Sequence, residues 1–199
     1  MNFVDTHCHL QLISDRNGLE SSIPEILATT AAANVKKLLT VSASLDDLKR
    51  VVSLTEEFPH IFGALGVHPH DASKMQEEHY DFIQNYLSHP KISAIGEIGL
   101  DYYYEYSPKI IQKQIFIRFL TMSIKHQKPV VIHTRDAEDD TIELLNHYGP
   151  NLKGVVHCFT GSVHLAKFIL QKCPHLCLGF TGVITFKNAE KIRAVVRAT

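Results

Sequence analysis

The chain predicts an α/β fold, a TIM (β/α)8-type barrel with about seven of its eight βα units inside 199 residues. Three observations carry this prediction. Short apolar runs alternate regularly with longer segments of helical period. The runs are apolar almost throughout, as suits strands of a parallel sheet covered on both faces. Histidines and a carboxylate then fall at the carboxyl ends of several runs, where a barrel gathers its working side chains. A doubly wound open sheet would instead advertise a glycine-rich phosphate loop after an early strand, and no G-x-G-x-x-G or Walker sequence occurs.

Seven runs read as strands: residues 3–6, 37–41, 61–67, 92–98, 129–133, 154–159 and 176–180. Helices fill the intervals. Ser44-Leu45-Asp46-Asp47 resembles a capping box opening a helix over 45–58. Ser107 and Pro108 supply an N-cap and a first-turn proline for a long helix ending near His126. Asn188 is placed to cap a last helix over 189–198, with Ile192, Val195 and Val196 on one face.

The 45% of hydrophobic side chains suffice for one sizeable core, and no linker, repeat or compositional shift divides the chain, so residues 1–199 read as one domain. Twenty Lys and Arg against 21 Asp and Glu give a net charge of −1. No broad basic surface for gripping long nucleic acid is implied, and small or end-bound anions stay open. No basic stretch leads into an apolar segment, and none reaches the roughly 20 residues of a membrane span. The expectation is a cytoplasmic protein without a membrane partner. Cys8, Cys158, Cys173 and Cys177 then read as reduced thiols. The Cys173-x-x-x-Cys177 pair lacks a second pair at matching spacing and falls in a strand pattern, so it is set aside as a zinc site.

The 13 histidines are the anomaly. His7 and His9 follow the first run, His68 and His70 the third, Glu97 closes the fourth, His133 the fifth, and His157 lies within the sixth. Taken singly, each is more simply a satisfied, partly buried side chain; their shared position changes the reading. Residues two apart in extended backbone face the same way, so His7 and His9 can close on one ion while Cys8 faces away. Neutral imidazole suits zinc and related metals, and a carboxylate such as Glu97 can stand between two of them. His60, His79, His89, His126, His147, His164 and His175 fall in helices or loops and are left as ordinary side chains.

Several blocks of the chain resemble the TatD family of metal-dependent hydrolases. They are Phe3-Val4-Asp5-Thr6-His7-Cys8-His9-Leu10, Gly66-Val67-His68-Pro69-His70, Gly96-Glu97-Ile98-Gly99-Leu100-Asp101-Tyr102, Pro129-Val130-Val131-Ile132-His133-Thr134-Arg135 and His157-Cys158-Phe159-Thr160-Gly161. With Gly179-Phe180-Thr181-Gly182 they run from residue 3 to about residue 186. The resemblance implies a barrel with two divalent metal ions that hydrolyses DNA phosphodiester bonds, with 3′-to-5′ exonuclease character on a single strand or 3′ end. It implies that His7, His9 and Glu97 hold a first metal, and Glu97, His133 and His157 a second, with Glu97 the catalytic carboxylate. It makes His68 a phosphate contact. His70 and Arg135 are further substrate-binding candidates, the latter through its planar fork. Asp101 and the tyrosines after it read as floor or rim, where an aromatic run suits base stacking. The ion is left as Zn, Mg, Mn, Ni or Co.

One element of the family pattern has no counterpart here. An Asp in a Glu-Thr-Asp-like motif ends strand eight of the family and binds the first metal, whereas residues 1–199 contain no such motif. The barrel is accordingly expected to lack its last strand and helix, to expose two strand edges that invite self-association, and to turn over slowly or not at all. Two other functions stay in competition: a metal-dependent amide or ester hydrolase of small molecules, and an inactive binding relative.

Overall fold

The structure is a computed structural model and describes residues 1–16 and 22–199. Seven strands form one parallel sheet in sequence order: β1 (Phe3–Cys8), β2 (Val35–Val41), β3 (Ile61–Leu65), β4 (Ile92–Asp101), β5 (Val130–Arg135), β6 (Gly154–Val156) and β7 (Leu176–Leu178). Helices α1 (Leu10–Arg16) and α2 (Ile23–Ala32) lead from β1 to β2, and α3 (Asp47–Glu57) from β2 to β3. A 3-10 turn, Pro69–Lys74, precedes α4 (Glu77–Tyr86). Then α5 (Lys109–His126), α6 (Glu138–Tyr148) and α7 (Val163–Lys172) fill the next crossovers, and α8 (Glu190–Ala198) follows β7. Strand order equal to chain order, with a helix in each crossover, curls the sheet into the part-barrel that the alternation predicts. Among the described residues β1 and β7 are not paired with each other.

Alternation along the strands splits the core. Leu65, Ile95, Ile132 and Val156 face the helices and meet Phe116, Phe119, Leu144 and Ile169. Their neighbours Val41, Ala64, Ala94 and Val131 face the other way and form a small inner cluster with Leu39 and Val155. The edge is different: Phe3 and Val4 of β1 are 50% and 58% exposed.

Several boundaries depart from expectation. β4 continues to Asp101, because Gly99, Leu100 and Asp101 keep pairing with His133, Thr134 and Arg135. β6 ends at Val156, so His157 lies just past the strand, although its N–H still donates to the Ile132 carbonyl at 2.8 Å. The capping box at Ser44 does not form: α3 starts at Asp47, whose carboxylate turns back to the Ala43 N–H at 3.1 Å. Ser107 does not cap α5 either, since Pro108 occupies the cap position. At the last helix Ala189, not Asn188, is the N-cap, and of the expected face Val195 is buried while Val196 is 41% exposed.

Candidate metal centre

The strand ends converge on Glu97, and backbone close approach puts it there. A Cβ on Gly96 would sit 2.6 Å from Val131 Cβ, and one on Gly66 2.8 Å from Gly96 Cα, so β3, β4 and β5 close up only because these residues are glycine. The Ser42 hydroxyl donates to Gly66 O at 2.8 Å and accepts from Gly66 N–H at 2.9 Å. The Ser42 carbonyl accepts from the Glu97 N–H at 3.1 Å. The Glu97 side chain is 6% exposed. Burial alone would raise its pKa, but hydrogen bonds from His133 and His7 hold the carboxyl well below the usual range.

On one side of Glu97 stand the histidines of β1. His7 Nε2 lies 3.4 Å and His9 Nε2 3.9 Å from Oε2, and the two nitrogens are 3.1 Å apart. His9 Nδ1 donates to the Val41 carbonyl at 2.7 Å, leaving the Nε2 lone pair aimed at this point. Cys8 faces away as its parity requires, against the Leu39 carbonyl, and burial with the nearby Asp5 charge pushes its thiol up to about 12. His7 Nδ1 is buried without a hydrogen-bond partner.

On the other side, His133 Nδ1 lies 3.1 Å from Glu97 Oε1 and Nε2 lies 3.0 Å from Asp101 Oδ2. Burial opposes charge on this ring, yet the two carboxylates outweigh it and raise its pKa to about 9. His68 Nε2 is 4.0 Å from Glu97 Oε1. Its Nδ1 accepts from the His70 N–H at 3.3 Å, so the neutral ring carries its proton on Nε2 and offers a donor toward the centre. Burial, then the neighbouring His133 charge, keep His68 neutral, with a pKa lowered to about 3. His157 stacks flat on His7, ring centres 3.3 Å apart and planes 5° from parallel. Burial and then His7 lower its pKa to about 4.

Donor atoms lie within 4.8 Å of one another in three overlapping groups: His7, His9 and Glu97; His68, Glu97 and His133; His68, His70 and Asp101. His157 belongs to none of them, so His133 and Glu97 gather with His68 where the family pattern pairs them with His157. Arg135 stands outside the cluster, its guanidinium carbon 3.8 Å from the centre of the Tyr103 ring.

Asp101 is the residue that sequence reasoning undervalued, having left it as floor or rim. It is 1% exposed. Its Oδ1 accepts from the N–H groups of Tyr103 and Tyr104 at 3.1 and 3.0 Å, while Oδ2 faces His133 and, at 3.2 Å without hydrogen-bond geometry, His70 Nε2. The Gln112 amide clamps the Asp101 backbone at both N–H and carbonyl. Ser107, freed from capping, donates to the His70 carbonyl at 2.9 Å and accepts from the Ser73 N–H at 3.0 Å. The available signal was parity: residues 97, 99 and 101 share one face of an extended strand.

A buried carboxylate ringed by imidazole nitrogens, with His7 Nε2 and His9 Nε2 3.1 Å apart, is a donor set that suits a divalent transition metal. A parallel part-barrel with this donor set at its strand ends has the features of a metal-dependent hydrolase. Residues 4–199 match the family described as TatD related DNase, and the chain belongs to that family. The metal-dependent hydrolase YabD of Bacillus subtilis is 35% identical over 194 residues, covering 97% of this chain and 74% of the relative. The 3′-5′ ssDNA/RNA exonuclease TatD of Salmonella typhimurium is 32% identical over 161 residues, 79% of this chain and 60% of the relative. Among solved structures, YJJV, a TatD homolog from Escherichia coli K12, superposes with a TM-score of 0.85 at 29% identity over 98% of this chain and 73% of its own. No helix among the described residues is long and apolar enough to cross a membrane.

Proposed function

We propose that this chain hydrolyses phosphodiester bonds at the 3′ end of single-stranded nucleic acid, DNA in the first instance, with two divalent cations held at the strand ends. The observation that carries the reading is the two-sided use of Glu97: Oε2 faces His7 and His9, and Oε1 faces His133. His7, His9 and Glu97 would hold one cation, and Glu97, His133 and His157 the other. The proton on His68 Nε2 argues against that ring as a ligand, and the low pKa of His157 keeps it in the neutral form that ligation needs. Zn, Mn, Ni or Co suits the imidazoles, and Mg suits a site where carboxylate and water dominate. When bound, such cations supply an activated water and charge to offset that of the phosphate.

The protein's own groups do the positioning. His68 donates from Nε2 to a phosphate oxygen, with His70 beside it, and Arg135 is available to a second phosphate. The name of the Salmonella relative supports both the substrate class and the polarity. We take residues 1–199 as one hydrolase domain working in the cytoplasm, in keeping with its four free cysteines. The exposed edge of β1 is where two copies would pair.

The test is elemental analysis of the purified chain beside cleavage of a short single-stranded oligonucleotide, repeated for Glu97→Ala. Bound metal and metal-dependent 3′ shortening, both lost in the variant, are the expected outcome. Metal-dependent cleavage of a small amide or ester, with the oligonucleotide untouched, would overturn the substrate assignment.

A further inference from the structure

Beside the metal centre stands a set of rings that folding does not explain. Tyr103, Tyr104 and Tyr106 are 57%, 47% and 68% exposed within four consecutive positions. Three large rings exposed together make the kind of contiguous apolar patch that marks a binding surface. They are not loosely placed. The Asp101 carboxylate fixes the Tyr103 and Tyr104 backbone, so the same side chain that holds His133 also holds this loop.

The rings form a continuous run outward from the centre. His133 meets His68 at 4.4 Å between ring centres, His68 meets His70 at 4.2 Å, and His70 meets Tyr106 at 4.8 Å. Tyr104 and Tyr106 lie 10° from parallel, 5.4 Å apart. Arg135 lies over two of the tyrosines, its guanidinium carbon 3.8 Å from the Tyr103 ring centre and 4.9 Å from that of Tyr104. Among the described residues no carboxylate lies within ion-pair distance of Arg135, although the chain is rich in ion pairs elsewhere. A guanidinium centred over an aromatic ring spends its charge on the ring face and has N–H donors left for an oxyanion.

We infer that Tyr104, Tyr106 and Arg135 form a subsite for the nucleotide adjoining the cleaved bond, the tyrosines stacking on its base and Arg135 pairing with its phosphate. This deepens the nuclease reading and rests on it for the direction of the strand. The subsite selects unpaired ends, because a base inside a duplex has both faces covered. It reads neither the Watson–Crick edge nor the 2′-hydroxyl, so it accepts DNA and RNA alike and favours bases with the larger ring face. A chain of net charge −1 thereby holds a polyanion by ring faces and one guanidinium rather than by a basic surface.

The experiment compares Tyr104→Ala/Tyr106→Ala and Tyr104→Phe/Tyr106→Phe with the unaltered chain, all metal-loaded. Substrates are a short oligodeoxyadenylate, the same strand with abasic 3′-terminal nucleotides, and a blunt duplex. In the unaltered chain kcat/KM for the intact strand should exceed that for the abasic strand by roughly tenfold to a hundredfold. That ratio should fall toward one in the alanine variant and persist in the phenylalanine variant. A ratio near one in the unaltered chain, or one that survives the alanine changes, overturns the subsite. If the unaltered chain cleaves no phosphodiester at all, the nuclease reading fails by itself. Fluorescence anisotropy with the labelled single strand then decides the subsite: binding weakened by alanine but not phenylalanine upholds it, and equal binding by all three chains overturns it.

Discussion

The two sides of the mouth are built differently. On the β4–β5 side the strands stay paired to their last residues, and part-buried hydrogen bonds tie His133 to Asp101 and His70 to Ser107, with Gln112 holding Asp101 from a buried position. On the β1–β7 side the pairing of β1 with β2 shifts register twice, β7 is three residues long, and Phe3 and Val4 face water. There His9 is anchored by the Val41 carbonyl, whereas His7 rests mainly on the rings of His9 and His157. One half of the centre is thus arranged before any ligand arrives, and the other depends more on what binds there.

The largest effect should come from the group the halves share. Glu97→Gln keeps the shape and removes the charge facing both sets of imidazoles. Metal content and turnover should fall together, by more than the about 10- to 100-fold typical of outer-shell partners. Elemental analysis and oligonucleotide cleavage read the two losses; a variant that lost only one metal would show that the halves do not share this carboxylate.

Next is the β4–β5 ladder itself. Gly99 has φ of +145°, and a Cβ there would sit 1.9 Å from the His133 carbonyl oxygen. Gly99→Ala must therefore push the strands apart where the ladder carries His133, at a cost of roughly 2–4 kcal/mol. Chemical denaturation measures it, and an unchanged midpoint would mean that this side is as pliable as the other.

How much of this was legible beforehand follows from the kind of physics involved. Apolar runs and His-x-His parity are local, so the alternation of strands and the shared face of His7 and His9 could be read from spacing, while Glu97 was joined to that pair through the family resemblance. Asp101 could not be ranked from spacing alone, because its weight comes from burial and from Gln112 on the following helix, which no periodicity reports. Ser107 was misread for the reverse reason: a good cap residue was taken by a tertiary partner, the His70 carbonyl. The helix starts expected at Ser44 and Asn188 also moved, to Asp46 and Ala189 as N-caps, since a cap is a weak local preference.

Asp101 gives a subtler test of the better-held side. In Asp101→Asn the remaining carbonyl oxygen is retained by the N–H groups of Tyr103 and Tyr104, which turns the amide nitrogen toward His133 Nε2. A donor there forces the His133 proton onto Nδ1, the nitrogen facing Glu97, where ligation needs a lone pair. Metal affinity should drop about 10- to 100-fold with the fold intact. Calorimetric metal titration beside circular dichroism checks it; unchanged affinity would leave Asp101 a purely structural residue.

The smallest effect belongs to the opposite side and completes the contrast. Gly182 begins the short 3-10 turn after β7, and a Cβ built on it meets nothing within 4 Å. Alanine there has no neighbour to displace, and the unfolded chain loses some freedom by the change, so Gly182→Ala should lie between neutral and about 1 kcal/mol stabilising. The identical chemical change at Gly99 is expected to be destabilising, so the pair of midpoints compares the two sides with the added atom held constant. Equal losses at both positions would show that the β7 side is as closely packed as β4–β5, and the asymmetry of the centre would have to be abandoned.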